Sequence, residues 1–141
     1  MSMKTSVKTI LPFAIGLLML FAACKKKDVN LGQRPDIEFT EGPGYVWRND
    51  TIKINEIVKV GVTVDNENGA DPLSKFYVLK VIGDEEYERI KDISISSEKA
   101  YLYTEEFKFT FPTAGVRKYK FAVNNTHGLK SEKFITFTVV E

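Results

Sequence analysis

The chain holds few residues suited to covalent chemistry. Its 141 residues include one cysteine, Cys24, and one histidine, His127. A zinc site gathers three or four nitrogen, sulfur or carboxylate ligands, and no second histidine or cysteine stands ready to join His127. That residue precedes Gly128 in "NNTHG" and reads as part of an exposed turn. A Ser-His-Asp arrangement would have to recruit this same turn histidine as its base. Carboxylates are adjacent at Glu85-Glu86 and Glu105-Glu106. Glycoside hydrolysis needs two carboxyl groups about 5–10 Å apart across one cleft, whereas neighbours on a strand point to opposite faces. Asp65, Glu67 and Asp71 crowd the stretch "DNENGAD". Oxygen ligands at alternating positions suit calcium, but the EF-hand loop wants glycine at its sixth position and glutamate at its twelfth. Counted from Asp65, Gly69 is fifth and Phe76 is twelfth. The cluster reads as a solvated turn. No catalytic residue, metal or cofactor is expected, and the chain is read as a non-enzyme.

Binding chemistry has a better candidate. In "EGPGYVWRND", Pro43 has no N–H to give a sheet and two glycines flank it, so the stretch reads as a loop. Tyr45 and Trp47 are two apart and share a side if the chain is extended there. Arg48, Asn49 and Asp50 follow with polar groups. Tyr45, Trp47, Arg48 and Asn49 form a candidate platform for a glycan or peptide. The alternative is that Trp47 packs over the end of a sandwich while Tyr101 and Tyr103 cover an edge, since aromatic side chains serve burial as readily as recognition.

The N-terminus reads as an export segment. Lys4 and Lys8 precede an uncharged run, "TILPFAIGLLMLFAA" at 9–23. A basic start, a short apolar run and small residues before a cut are the parts of a secretory signal. The run falls short of the about 20 residues that span a bilayer, which weighs against an uncut signal anchor. Cys24 stands at its end, with no partner for an intramolecular disulfide, and "KKKD" follows. Residues 25–35 contain Gly32 and Pro35 and read as a tether.

From residue 36 the dominant period is two, the mark of half-buried strands. Val58, Val60, Val62 and Val64 alternate with Lys59, Gly61 and Thr63; Phe107, Phe109 and Phe111 alternate with Lys108 and Thr110; Tyr119, Phe121 and Val123 alternate with lysines. Turn signals recur at short intervals. The pattern predicts an all-β domain over 36–141, a single immunoglobulin-like β-sandwich of about seven or eight strands. The expected core is Val58, Val60, Val62, Phe107, Phe109, Tyr119, Phe121, Ile135 and Phe137. With 20 basic and 19 acidic residues the net charge is +1, so there is no electrostatic footprint for nucleic acid.

Several resemblances add to this. Phe21-Ala22-Ala23-Cys24 resembles the lipobox of bacterial lipoproteins, with phenylalanine where leucine is usual. It implies cleavage after Ala23, lipidation of Cys24 and a membrane partner through that anchor; two or more acyl chains hold stably where one does not. The lysines and Asp28 that follow resemble, in part, a surface-export signal of Bacteroidota lipoproteins, which implies an outer-membrane location. The stretch "FTFPTAGVRKYKFAVNNTHGLKSEKFITFTVV", 109–140, resembles the last three strands of PKD-like or related immunoglobulin-like domains, although Asn124-Asn125-Thr126-His127-Gly128 lacks the acidic pair common in that turn. Asp50-Thr51-Ile52 matches a pattern of O-glycosylated Bacteroidota envelope proteins, with Thr51 as acceptor. The whole resembles the small PKD-like or immunoglobulin-like lipoproteins of Bacteroidota. It implies a non-catalytic, lipid-anchored binding or scaffold module of the cell envelope, with an envelope protein or glycan as partner. The alternative is a glycan-binding accessory lipoprotein of a polysaccharide-uptake system.

Overall fold

The computed structural model describes residues 32–66 and 71–141. The leader, Cys24 and the lysine run lie outside the described residues, as do Glu67, Asn68 and Gly69 of the acidic turn. Eight strands follow in order: β1 (Asp36–Phe39), β2 (Asp50–Lys53), β3 (Val58–Asp65), β4 (Leu73–Val81), β5 (Tyr87–Ser94), β6 (Leu102–Phe109), β7 (Gly115–Asn125) and β8 (Lys130–Val140). They form a three-stranded sheet, β1-β3-β6, and a five-stranded sheet, β2-β8-β7-β4-β5. The domain is an all-β, immunoglobulin-like sandwich.

Alternation builds the core. Val58, Val60, Val62 and Val64 of β3 all turn inward and are buried. Across the sandwich, Phe76, Phe121, Ile135 and Phe137 are fully enclosed. Phe121 touches Phe39 and Phe107 of the smaller sheet, with ring centroids 5.2 and 5.6 Å away. Each buried ring of this kind contributes about 1.5–3 kcal/mol over exposure. Of the expected core, Phe109 is half-buried, because it lies where the edges of β5 and β6 leave the two sheets open along one side. Tyr103 instead joins the core against Phe76. Burial raises the phenol pKa of both Tyr103 and Tyr119, and for Tyr103 the Glu105 carboxylate adds to the shift.

One segment changes sheets. β1 pairs with β3, and the Thr40 N–H extends that pairing to the Gly61 carbonyl at 2.9 Å. The chain then swings out through Gly42 and Gly44, whose φ values of 134° and 86° suit glycine. It returns at Val46, whose N–H donates to the Lys59 carbonyl at 2.8 Å. β2 crosses to the other sheet and runs parallel to β8, the only parallel pair among the described strands.

Candidate functional site

The residues singled out in the loop go to different tasks. Tyr45 lies across the outer face of the three-stranded sheet, over Gly61, where even a methyl group would stand 3.2 Å from its ring. Its hydroxyl donates to Glu106 at 3.0 Å. That bond raises the Tyr45 pKa and, as the main cause, lowers that of Glu106; Lys59 and Lys108, at 3.7 and 3.6 Å, favour the carboxylate further. Trp47 is half-buried against the core, with the Arg48 guanidinium 5.6 Å from its ring centroid. The Asn49 side-chain oxygen accepts from the Thr136 N–H at 2.9 Å and ties the loop to β8. Thr51 is exposed on β2, its N–H bonded to the Asp50 carboxylate. The geometry thus brings Trp47 and Arg48 together and holds Tyr45 down against Glu106.

The chemistry-bearing residues also separate. On β6, Glu106 turns outward to Tyr45 while Glu105 turns to the Tyr103 hydroxyl, 3.5 Å away, so the two carboxylates sit on opposite faces. His127 Nδ1 lies 2.7 Å from the mostly buried Asp71 carboxylate. Asn125 accepts from the N–H groups of His127 and Leu129 through its side-chain oxygen, which closes the β7–β8 turn. No three His, Cys, Asp or Glu side chains among the described residues gather as a metal site.

A different surface does gather aromatics. Residues opposite one another in register project from the same face of a sheet. On the outer face of the five-stranded sheet, one row runs Arg89, Leu79, Lys120, Phe134, and the next runs Asp92, Tyr77, Ala122, Glu132. Tyr87, opposite Val81, stands beside the first row. Phe134 is 42% exposed and Tyr87 39%. Each ring carries a cation: Arg89 lies 5.1 Å from the Tyr77 centroid, Lys118 4.8 Å from Phe134, and Lys120 3.8 Å from Tyr87. Lys120 also reaches the Glu132 carboxylate at 3.2 Å, and its side chain is 11% exposed. Such cation–ring pairs are worth about 0.5–2 kcal/mol each. The sequence signal for this face was the apolar run "FYVL" at 76–79 on β4 and the adjacent Phe134-Ile135 on β8. A half-buried strand alternates, so apolar residues at both parities indicate something on the second face as well.

No family model matches the chain, and no curated protein matches it. Solved structures with a similar fold include superoxide reductase (neelaredoxin) from Ignicoccus hospitalis, at 15% identity and a TM-score of 0.49, covering 77% of this chain and 81% of that one. A CARDB domain from Pyrococcus furiosus matches at 18% identity and a TM-score of 0.47, covering 77% and 98%. A DUF4466 family protein from Parabacteroides merdae matches at 13% identity and 0.45, covering 71% of this chain and 42% of that one.

Proposed function

We propose that this sandwich is a non-catalytic binding module of a bacterial envelope, lipid-anchored at Cys24 to the outer membrane, and that it takes an anionic glycan across the outer face of its five-stranded sheet. The observation that carries the reading is the exposure of Tyr87 and Phe134 on one face together with Lys118, Lys120 and Arg89. Aromatic faces stack against the C–H faces of sugar rings. Lys118 can attract a carboxylate, being bonded to no described acid: its described contact is the Phe134 ring, whereas Lys120 and Arg89 are already paired with Glu132 and Asp92. The sequence supports the anchor through the apolar run, the small residues before Cys24 and the absence of any other cysteine. A second reading places a glycan on the loop, favoured by the Arg48 guanidinium over the half-buried Trp47 ring.

Calorimetric titration with uronic-acid polymers and neutral glucans tests both. Binding of the acidic polymers that is lost in Tyr87→Thr and Phe134→Thr, and kept in Trp47→Phe, supports the sheet face. The reverse pattern supports the loop. No heat with any polymer in the series rejects glycan binding at either place. The anchor is tested separately: Cys24→Ser leaves the precursor uncut and free of labelled fatty acid, and label entering that variant rejects it.

A further inference from the structure

The sandwich has four sheet edges, and three of them are blunted. β1 and β2 are each four residues long. β5 shifts register against β4, so that Val78 and Leu79 face Lys91 and Arg89 with Ile90 between them. A bulge of this kind turns an edge away from further pairing. β6 has neither device. Its eight residues pair with β3 in unbroken register, and among the described residues no strand lies on its other side. Along that side runs a groove of about 570 Å³ between β5 and β6, with Val78, Ile93 and Phe107 among its apolar walls, Lys91 on the β5 side and Glu105 on the β6 side. A long, regular edge with unsatisfied backbone groups, beside an apolar groove, is a template for another strand.

We infer that the occupant is a second copy of this chain, its β6 laid antiparallel against the first so that two three-stranded sheets join across a two-fold axis. The charge pattern of "LYTEEFKF" selects the partner and the register. With both cores on the same side of the joined sheet, facing residues share parity. Centring the axis on Glu105, Glu106 or Lys108 sets that charge against its own copy. Centring it on Phe107 sets Glu106 opposite the partner's Lys108, twice by symmetry, and Thr104 opposite the partner's Thr110. Phe107 then faces the partner's Phe107 beside the groove. Opposite charges facing each other across a strand pair are favourable and like charges unfavourable, and a two-fold contact of this type closes on itself and stops at two copies.

The full-length protein in detergent, followed by native mass spectrometry over a concentration series, reads the copy number directly. The expected result is a dimer that Glu106→Lys or Lys108→Glu weakens about ten-fold or more, and that the double exchange Glu106→Lys with Lys108→Glu restores. Both residues are exposed, and circular dichroism checks that each variant is folded. A second measurement fixes the register: chains with Thr104→Cys mixed with chains carrying Thr110→Cys form an interchain disulfide above the level of the parent, and neither population does so alone. A monomer at every concentration overturns the inference. So does a dimer indifferent to the single reversals, a double exchange as weak as the single ones, or crosslinking no greater in the mixture than in either population.

Discussion

The three-stranded sheet carries its own cover. Between β1 and β2 the chain leaves Gly61, swings through Gly42 and Gly44, and lays Tyr45 back across the outer face with its hydroxyl on Glu106. The five-stranded sheet presents Tyr87 and Phe134 on its outer face with two-fifths of their surface exposed, each beneath a lysine ammonium. The same residue types therefore serve two ends. One tyrosine spends its polar atom within the molecule and holds a loop in place. The other rings keep a face toward water, and beside Phe134 the Lys118 charge is met by no described acid. Where an aromatic sits in a loop says less about recognition than whether its polar neighbours are already engaged.

The largest expected effect tests whether both faces rest on one core. Phe121 is fully buried beneath the five-stranded sheet and touches rings from the other sheet. Phe121→Ala is expected to cost about 3–5 kcal/mol in denaturant melts. A loss below about 1 kcal/mol would mean that the sheets are stabilised separately, and the two faces would then have to be treated as independent units.

Next comes the cover itself. A Cβ built at Gly61 would stand 2.5 Å from Thr40 Oγ1 and 3.2 Å from the Tyr45 ring. Gly61→Ala must push aside the strand path and the tyrosine together, and is expected to cost about 1–3 kcal/mol. Stability unchanged in the same melts would show that the loop rests only loosely on its sheet.

Much of this architecture was legible from period alone. The β3, β6 and β7 ladders each announced an inward face, although Phe109 is only half-buried. Three features were not legible. The Tyr45–Glu106 bond joins residues 61 apart in sequence, so only the sheet register brings them together. Lys120 occupies a position that alternation assigns to water, yet it is nearly covered, because Tyr87 and Glu132 reach it from neighbouring strands. Tyr103 shares its spacing with Tyr101, but β6 starts only at Leu102, so Tyr103 is turned inward by the strand while Tyr101, just before it, stays exposed. Each depends on which strand lies next to which, and local spacing does not carry that information.

A smaller effect follows from the Tyr45–Glu106 bond, and its sign is fixed by titration. The bond lowers the Glu106 pKa below its ordinary 4.5 in the folded state. Its contribution is therefore present above that ordinary value and is lost as pH falls through the lowered one. At the alkaline end it fades as Tyr45 ionises above its own ordinary 10.0, since the folded pKa is raised. Tyr45→Phe is expected to melt slightly lower than the parent at neutral pH, by less than Gly61→Ala, and to converge with it in strong acid. Parallel melting curves across the whole acid range would detach Tyr45 from Glu106 in solution.

The smallest stability effect bears most on the comparison. If Tyr87 and Phe134 serve recognition, the fold should spare them. Threonine keeps the preference for extended backbone while removing the ring, so Tyr87→Thr and Phe134→Thr isolate the loss of the aromatic face. Surface changes of this kind usually stay within about 0.5 kcal/mol. Removing the Tyr87 ring uncovers the Lys120 ammonium, but water and Glu132 at 3.2 Å remain to solvate it, which offsets the lost ring contact. Both variants should therefore melt with the parent in denaturant while losing the acidic glycan. A cost of about 2 kcal/mol or more, comparable to emptying a core position, would make these rings structural. The outer face of the larger sheet would then be finished like that of the smaller one, and the contrast between the two faces would disappear.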